Sequence, residues 1–222
     1  MSERAGGSPA RTLAVAGYLA DDVVRSQRYL LPLLVYVAVL GVLFGGDPGE
    51  PPGAWPASAL ALYPMAAWLA VIVANTEDPV QRTVTVAAAG GVVPVVTGTL
   101  LVGLAGDLLL VALPMGWPVV FGGHPYPPSV LLLGGVAHLA CAVTGTAVGL
   151  LCARPLVERI GWSFCLGTAI VVVTAVQPWL PPVGVAVGAL AALGPPPFAA
   201  AVLSLVLALG AAAVVWTVER RR

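Results

Sequence analysis

The 222-residue sequence contains no lysine and has few charged residues of any kind. Ten arginines and ten acidic residues make up 9% of the chain, whereas charged residues make up about 25% of an ordinary soluble domain. The absence of lysine excludes a P-loop, whose lysine binds nucleotide phosphates, and it excludes Schiff-base chemistry on a lysine side chain. The chain is therefore not expected to hydrolyse ATP by itself.

Motifs for catalysis and metal binding are missing as well. Cys141, Cys152 and Cys165 lack a metal-ligand spacing such as C-x-x-C, and their apolar surroundings predict buried free thiols. The GWSF sequence at 161–164 is not the G-x-S-x-G of a serine hydrolase, and H-E-x-x-H and an acidic cluster for Mg²⁺ are both absent. We therefore expect no enzyme activity, no directly bound cofactor or metal, and no nucleic-acid partner.

Hydrophobic residues, by contrast, dominate the chain. They make up 59% of it, and the mean hydropathy is +0.97. A soluble protein cannot bury that much apolar surface, so the sequence predicts an all-α polytopic membrane protein. Six apolar runs reach or approach the roughly 20 residues that a helix needs to cross about 30 Å of hydrocarbon, which predicts six transmembrane helices. The runs comprise residues 29–45, 57–74, 92–121, 130–152, 160–180 and 198–218.

Two segments leave alternatives open. The third run spans 30 residues and contains Pro94, Pro114 and Pro118, so it is either one tilted, kinked helix or a helix with a broken end. The proline-rich segment 181–197 has an apolar centre at 183–193, which is short for a span. This segment suits a re-entrant or interfacial element before the last span.

The distribution of arginine decides between the possible counts. With six spans and a cytoplasmic N-terminus, all ten arginines lie on the cytoplasmic side, in accordance with the positive-inside rule. The outward loops are then 46–56, 122–129 and 181–197, and both termini are cytoplasmic. A seventh span, or a division of the third run into two spans, would place arginines on the outer side of the membrane. Because the composition is typical of a GC-rich bacterial genome, we expect the protein in the bacterial plasma membrane.

The chain accordingly divides into a cytoplasmic N-terminal segment, 1–28, a six-span domain, 29–218, and a basic cytoplasmic tail, 219–222. Residues 11–28 predict an amphipathic helix at the membrane interface, because apolar residues recur at three- and four-residue steps and charged residues fill the other side. This helix either anchors the first span or also contacts a cytoplasmic partner. Its apolar positions are Leu13, Ala16, Ala20, Val23 and Val24.

Three of the 20 charged residues, Glu77, Asp78 and Arg82, lie within six positions of the loop between the second and third runs. The spacing of Asp78 and Arg82 predicts an ion pair on one helix face, worth only about 0.3–0.5 kcal/mol. Because so weak a pair adds little to the fold, the three residues are candidates for docking a soluble partner. The alternative is a solvated loop whose arginine only marks orientation.

Capping residues surround this charged loop. Asn75 or Thr76 is expected to cap a helix at its N-terminus, with Pro79 in the first turn. The pair Gly90–Gly91 is expected to end the helix. The sequence therefore predicts a short cytoplasmic helix between two spans.

Asp107 and His138 are the only ionisable residues deep within the apolar runs. A charge at the bilayer centre costs roughly 2.5–3.5 kcal/mol, so both side chains are expected to face the bundle interior, at depths compatible with a pair. One interpretation is hydrogen bonding between helices, with Asp107 in its neutral form. The other interpretation is a substrate-contacting or proton-relay site.

The pattern G-x-x-x-G, which permits close helix approach, occurs at glycines 41/45, 145/149 and 184/188. A chain with 26 glycines contains this pattern readily by chance, so each instance is a weak signal.

This layout resembles the membrane subunit of ATP-binding-cassette exporters of the type-2 permease family, and in particular the small actinobacterial members. Such subunits have six spans, an amphipathic helix before the first, a short coupling helix between the second and third, and a re-entrant segment before the last. The corresponding parts here are 11–28, 75–89 and 181–197. The resemblance is one of layout over nearly the whole chain, and NTEDPVQR at 75–82 is its nearest approach to a motif. The outward loops are shorter than those of the larger eukaryotic members.

The resemblance implies a function and a set of partners. The chain would be the permease subunit of an exporter for an unidentified amphiphilic substrate, with ATP bound by a separate ATPase subunit and a second permease copy completing the path. The alternative is a self-contained secondary transporter or a non-transport membrane scaffold that uses Asp107 and His138.

Overall fold

The computed structural model describes residues 9–46, 49–121 and 125–221, and these residues form helices and connecting turns without a strand. The helices within these ranges are α1 (Pro9–Ser26), α2 (Leu30–Phe44), α3 (Trp55–Ala74), α4 (Pro79–Ala89), α5 (Val92–Phe121), α6 (Pro128–Leu151), α7 (Ile160–Ala175), α8 (Val183–Ala191) and α9 (Phe198–Glu219).

Four of the described helices, α3, α5, α6 and α9, are long and apolar enough to cross a membrane, and there are five such spans if α1 and α2 are counted as one bent pair. These helices support a multi-pass membrane protein, as the composition predicts. The count is lower than the expected six because the first and fifth apolar runs form helices of only 15 and 16 residues, α2 and α7. Such helices are only about 23 Å long.

The third apolar run forms one continuous helix, α5, of 30 residues. Pro118 has no N–H to donate to the carbonyl of Pro114, four residues earlier in the helix. The indole Nε1 of Trp55 donates to that carbonyl oxygen instead, at 2.9 Å. The side chain from α3 therefore satisfies a backbone group that the proline leaves free, and the helix continues through the proline pair.

The helices α3 and α6 approach so closely that glycine is required on α6. A Cβ atom at Gly145 would lie 2.4 Å from the carbonyl oxygen of Tyr63, and one at Gly149 would lie 2.4 Å from that of Ala67. Of the pairs 41/45, 145/149 and 184/188, the pair 145/149 is the one that lies in a helix interface. Gly41 and Gly188 have open space around them.

A hydroxyl network joins α6 to the last helix. Thr144 donates to the hydroxyl oxygen of Ser204 at 3.0 Å, and Ser204 donates to the carbonyl oxygen of Ala140 at 2.9 Å. Both hydroxyl-bearing residues are buried. Because hydrogen bonds between helices replace the hydrophobic drive that is missing in lipid, this network holds α9 against the centre of the bundle.

The axes of α1 and α2 are bent by 73° relative to each other, at a turn in which Gln27 has a positive φ of 55°. Its buried residues are Val15, Leu19 and Val23, and Val15 lies against Gly98 of α5. The apolar positions predicted for α1 coincide only in part with its buried residues, because Leu13 and Val24 are exposed. Helix α1 therefore has a face packed on protein and a neighbouring apolar face that is exposed.

The proline-rich segment before the last span contains the nine-residue helix α8. Its buried side chains, Val183, Ala186 and Leu190, belong to the core cluster that also contains residues of α3 and α6. A helix of this length extends only about 14 Å, so α8 cannot cross the membrane.

Of the cysteines, Cys141 and Cys152 are buried and free as expected, whereas Cys165 is free but exposed.

Replacing Gly145 by alanine is expected to destabilise the protein by about 1–3 kcal/mol, because the new methyl group overlaps a backbone oxygen of α3. The matched control is Gly41→Ala on α2, where a methyl group meets open space. Thermal unfolding of both variants in detergent measures the difference. Equal stability of the two variants would contradict the close α3–α6 contact.

Candidate functional site

The charged loop before α5 forms the predicted helix, α4, and its ends are capped. The carboxylate of Asp78 accepts a hydrogen bond from the backbone N–H of Gln81 at 2.8 Å, Pro79 is the first helical residue, and Gly90 ends the helix with a φ of 77°. The helix thus ends at Gly90, where the sequence predicts, and Pro79 lies in its first turn as expected.

The prediction that Asn75 or Thr76 caps α4 is wrong, however. The side chains of Asn75 and Thr76 donate to the carbonyl oxygens of Val71 and Ile72, at the end of α3. These two residues therefore satisfy the last carbonyls of the preceding helix, and Asp78 is the residue that caps α4.

Arg82 does not pair with Asp78, in contrast to the prediction from their spacing. Its Nε and Nη2 atoms each lie 2.8 Å from Oε1 of Glu219, the last residue of α9, and its Nη1 atom lies 3.4 Å from Oε2 of Glu77. The other carboxylate oxygen of Glu77 accepts from the hydroxyl of Thr85. Because the carboxylate of Asp78 is directed at the N-terminus of α4, Arg82 binds the two glutamates instead.

The three candidate docking residues therefore do not form one exposed surface. Glu77 is only 3% exposed and Arg82 is largely buried, so only Asp78 is open to the surroundings. The exposed side of α4 is apolar instead, with Val80 75% and Val84 64% exposed. The sequence contains a signal for this face, two valines at a spacing of four, but a prediction based on the charged residues alone overlooks it.

A cavity of about 700 Å³ lies beside the ion-pair network. Glu77, Arg82 and Glu219 line it together with Arg154, which follows α6, and Glu158, which precedes α7. Groups from α4, α9 and the α6–α7 connection thus meet at one end of the bundle. The Oε2 atom of Glu219 is buried and has no hydrogen-bond partner in the described part of the chain.

Asp107, on α5, is fully buried. The hydroxyl of Thr146 on α6 donates to its Oδ2 atom at 2.7 Å, whereas its Oδ1 atom is buried without a hydrogen-bond partner among the described residues. Gly103, one turn before Asp107, packs against the same threonine. The carboxyl group is therefore a contact between α5 and α6 with one oxygen unsatisfied.

His138 is also fully buried, and both of its ring nitrogens have partners. Its Nδ1 atom donates to the carbonyl oxygen of Gly134 at 2.7 Å, since a carbonyl can only accept. Its Nε2 atom lies 2.9 Å from the hydroxyl of Ser58, and the ring of Trp55 packs edge-on against the imidazole. These contacts join α3 to α6.

Asp107 and His138 do not form a pair. The partner of Asp107 on α6, Thr146, is eight residues beyond His138, which is about 12 Å along the helix axis. No group of three or more potential metal ligands occurs among the described residues. The structure thus places two separate polar contacts in the bundle, each between a different pair of helices.

Comparisons of the chain with protein-family models, with curated proteins and with solved structures found no match.

Replacing Arg82 by glutamine is expected to destabilise the protein by about 3 kcal/mol, because two largely buried glutamates then lose their counter-charge. Thermal unfolding measures this loss, with Arg159→Gln, at an exposed arginine, as the control for the loss of one charge. Adding Glu77→Gln to Arg82→Gln is expected to recover part of the stability. A loss no larger than that of the control would contradict the ion-pair network.

Proposed function

We propose that this protein is the permease subunit of an exporter, driven by a separate ATPase subunit that binds at α4. The observation that carries the proposal is the exposed apolar side of this capped helix, at Val80 and Val84. The helix lies between two long apolar helices, with Glu77 and Arg82 largely buried against the bundle and the two valines exposed, so it offers an apolar surface to a partner.

The ion pairs of α4 support a coupling role. Arg82 connects the helix to Glu219 at the end of α9, and its Nη1 atom lies 3.4 Å from the hydroxyl oxygen of Thr99 on α5. A partner that displaces α4 therefore acts directly on two of the long apolar helices. This connection gives a physical route from ATP hydrolysis in the partner to movement of the bundle.

In this proposal the protein has six spans, with α2 and α7 as the two short ones. A short span is accommodated by local thinning of the bilayer, at a modest cost per ångström. Helix α1 lies at the cytoplasmic surface, α8 enters the membrane from the outside without crossing, and both termini are cytoplasmic, since this arrangement places all ten arginines inside. A second permease copy completes the path for an amphiphilic substrate.

The docking proposal is tested by Val80→Asp. The chain is co-expressed with the ATPase encoded beside it, and co-purification and ATP hydrolysis are measured. We expect normal membrane insertion but about tenfold weaker association, because a charge replaces an apolar contact. The matched control is Ala10→Asp, which adds the same charge at an exposed residue of α1, on the same side of the membrane. Equal association of the two variants, or the absence of such an ATPase, would refute the proposal.

A second candidate function is favoured by the unsatisfied Oδ1 atom of Asp107. A buried carboxyl group with a free oxygen is able to bind and release a proton in a self-contained secondary transporter. His138 adds little to this alternative, because both of its nitrogens are already bonded within the protein.

Asp107→Asn separates the two functions. Asparagine keeps an oxygen for the hydroxyl of Thr146 but cannot carry the proton, so a proton-coupled transporter is expected to lose all of its pH-dependent transport. An ATP-driven exporter is expected to keep its activity at every pH, measured as substrate efflux from proteoliposomes. Full activity of Asp107→Asn across the pH range would eliminate the second candidate.

A further inference from the structure

A cavity of about 360 Å³, the mixed-charge cavity, lies where α3 ends and α7 begins. Side chains of both signs line it: Arg28, Arg154, Glu77, Asp78 and Glu158. All of these except Arg28 also line the cavity of about 700 Å³ beside the ion-pair network. Arg28 precedes α2 and Arg154 follows α6, so charges from separate parts of the chain meet in one space.

The two arginines of the mixed-charge cavity are available to a ligand. Both Arg28 and Arg154 are exposed, and neither side chain has an ion-pair partner within 9–46, 49–121 and 125–221. Asp78 is also exposed, and one of its carboxylate oxygens caps α4. Cationic and anionic groups thus line the same cavity, which leaves room for a ligand that carries both charges.

An apolar crevice of about 380 Å³ between α3 and α7 adjoins the mixed-charge cavity. Ile160 and Ser163, in the first turn of α7, line both of them. From there the crevice follows α7 to Val172, about 18 Å along the helix axis. That length is similar to one leaflet of a hydrocarbon core about 30 Å thick. Among the described residues, no charged side chain lines the crevice.

The crevice is open at its side because α7 buries little of its surface. Only Ser163 and Val171 of this helix are buried. Three residues of α7 that line the crevice are exposed: Ile160 by 69%, Phe164 by 63% and Val172 by 53%. In a membrane protein, an acyl chain of the surrounding lipid has direct access to this space.

We propose that the mixed-charge cavity and the crevice together bind one phospholipid whose headgroup carries a primary ammonium, as in phosphatidylethanolamine. Arg28 and Arg154 bind the phosphate, because planar guanidinium groups match its geometry. The ammonium lies on the acidic side of the cavity, near Asp78, and one acyl chain occupies the crevice. This proposal requires a membrane protein but does not depend on the identity of the transport reaction.

The lining of the mixed-charge cavity selects this headgroup. A primary ammonium has three N–H donors for carboxylate and amide oxygens, which Asp78 and Asn75 supply. The quaternary ammonium of choline has no such donor and is recognised by aromatic faces, but no aromatic residue in the described chain lines the cavity. An anionic headgroup without a cation would leave the carboxylates unmatched.

The crevice favours a lipid over a protein segment. A docked helix or loop would bring polar backbone groups into a space without charged lining, whereas an acyl chain has no polar groups to satisfy. A charged cavity that continues into an apolar crevice matches the two parts of a phospholipid.

Native mass spectrometry of the full chain in detergent tests the proposal. The probes are three dioleoyl phospholipids that differ only in headgroup: phosphatidylethanolamine, phosphatidylcholine and phosphatidylglycerol. We expect one phosphatidylethanolamine to bind in preference to the other two lipids. Equal binding of the three by the unmodified chain, or preference for either of the others, overturns the proposal.

A double variant tests the role of the arginines. Arg28→Gln/Arg154→Gln is expected to lower the affinity for phosphatidylethanolamine about tenfold or more, because two cations near the phosphate are lost. The control is Arg25→Gln/Arg221→Gln, which removes the same charge at two exposed arginines outside the cavity. Equal affinity of the two double variants contradicts a phosphate site at Arg28 and Arg154.

Asp78→Asn tests the ammonium site. Asparagine caps a helix as well as aspartate does, so the variant removes the charge and keeps α4. We expect it to lose the preference for phosphatidylethanolamine over phosphatidylcholine, whereas Asp21→Asn, at an exposed residue of α1, keeps that preference. An unchanged preference in Asp78→Asn refutes the assigned headgroup.

Two neighbouring valines of α7 test the crevice. Val172→Trp fills it and is expected to weaken binding of phosphatidylethanolamine, whereas Val173→Trp, at an equally exposed position that does not line the crevice, leaves binding unchanged. Soluble glycerophosphoethanolamine, the headgroup without acyl chains, is expected to bind far more weakly than the lipid. Equal binding by the two tryptophan variants, or equal affinity for the soluble headgroup, overturns the assignment of the chain to the crevice.

Discussion

At Gly145 and Gly149, α6 lies so near α3 that a methyl group would be 2.4 Å from a backbone carbonyl oxygen. In lipid, helices gain little from apolar burial, so close backbone contact and hydrogen bonds must hold them together. Helix α6 supplies both. It bonds through His138 to α3, through Thr146 to α5 and through Thr144 to α9. The other long helices are therefore arranged around α6, which the glycine contact places against α3.

At the charged end of the bundle, the ion pairs of Arg82 also hold separate helices together. They bind α4 to the last residue of α9, although 137 positions separate the two side chains in sequence. Burial of these charges leaves α4 with an apolar outer face, the surface on which the docking proposal rests. The same ion pairs attach α4 directly to the end of α9.

Helix α1 also contacts this end of the molecule. The side-chain amide of Gln81 on α4 donates to the hydroxyl of Tyr18 at 2.5 Å, and Val15 of α1 lies against Gly98 of α5. Helix α1 is therefore joined both to α4 and to one of the long apolar helices.

The sequence by itself determined the class of the protein and several helix ends. The excess of apolar residues requires helices in a membrane, and Pro79 and Gly90 mark the ends of α4 by local backbone chemistry. The sequence did not determine which side chains meet. A spacing of four predicts a pair between Arg82 and Asp78, and similar depth is compatible with a pair between Asp107 and His138. The structure instead pairs Arg82 with Glu219 and Asp107 with Thr146. Local spacing predicts local bonds, whereas these partners depend on how separate helices rotate and approach, which tertiary packing alone decides.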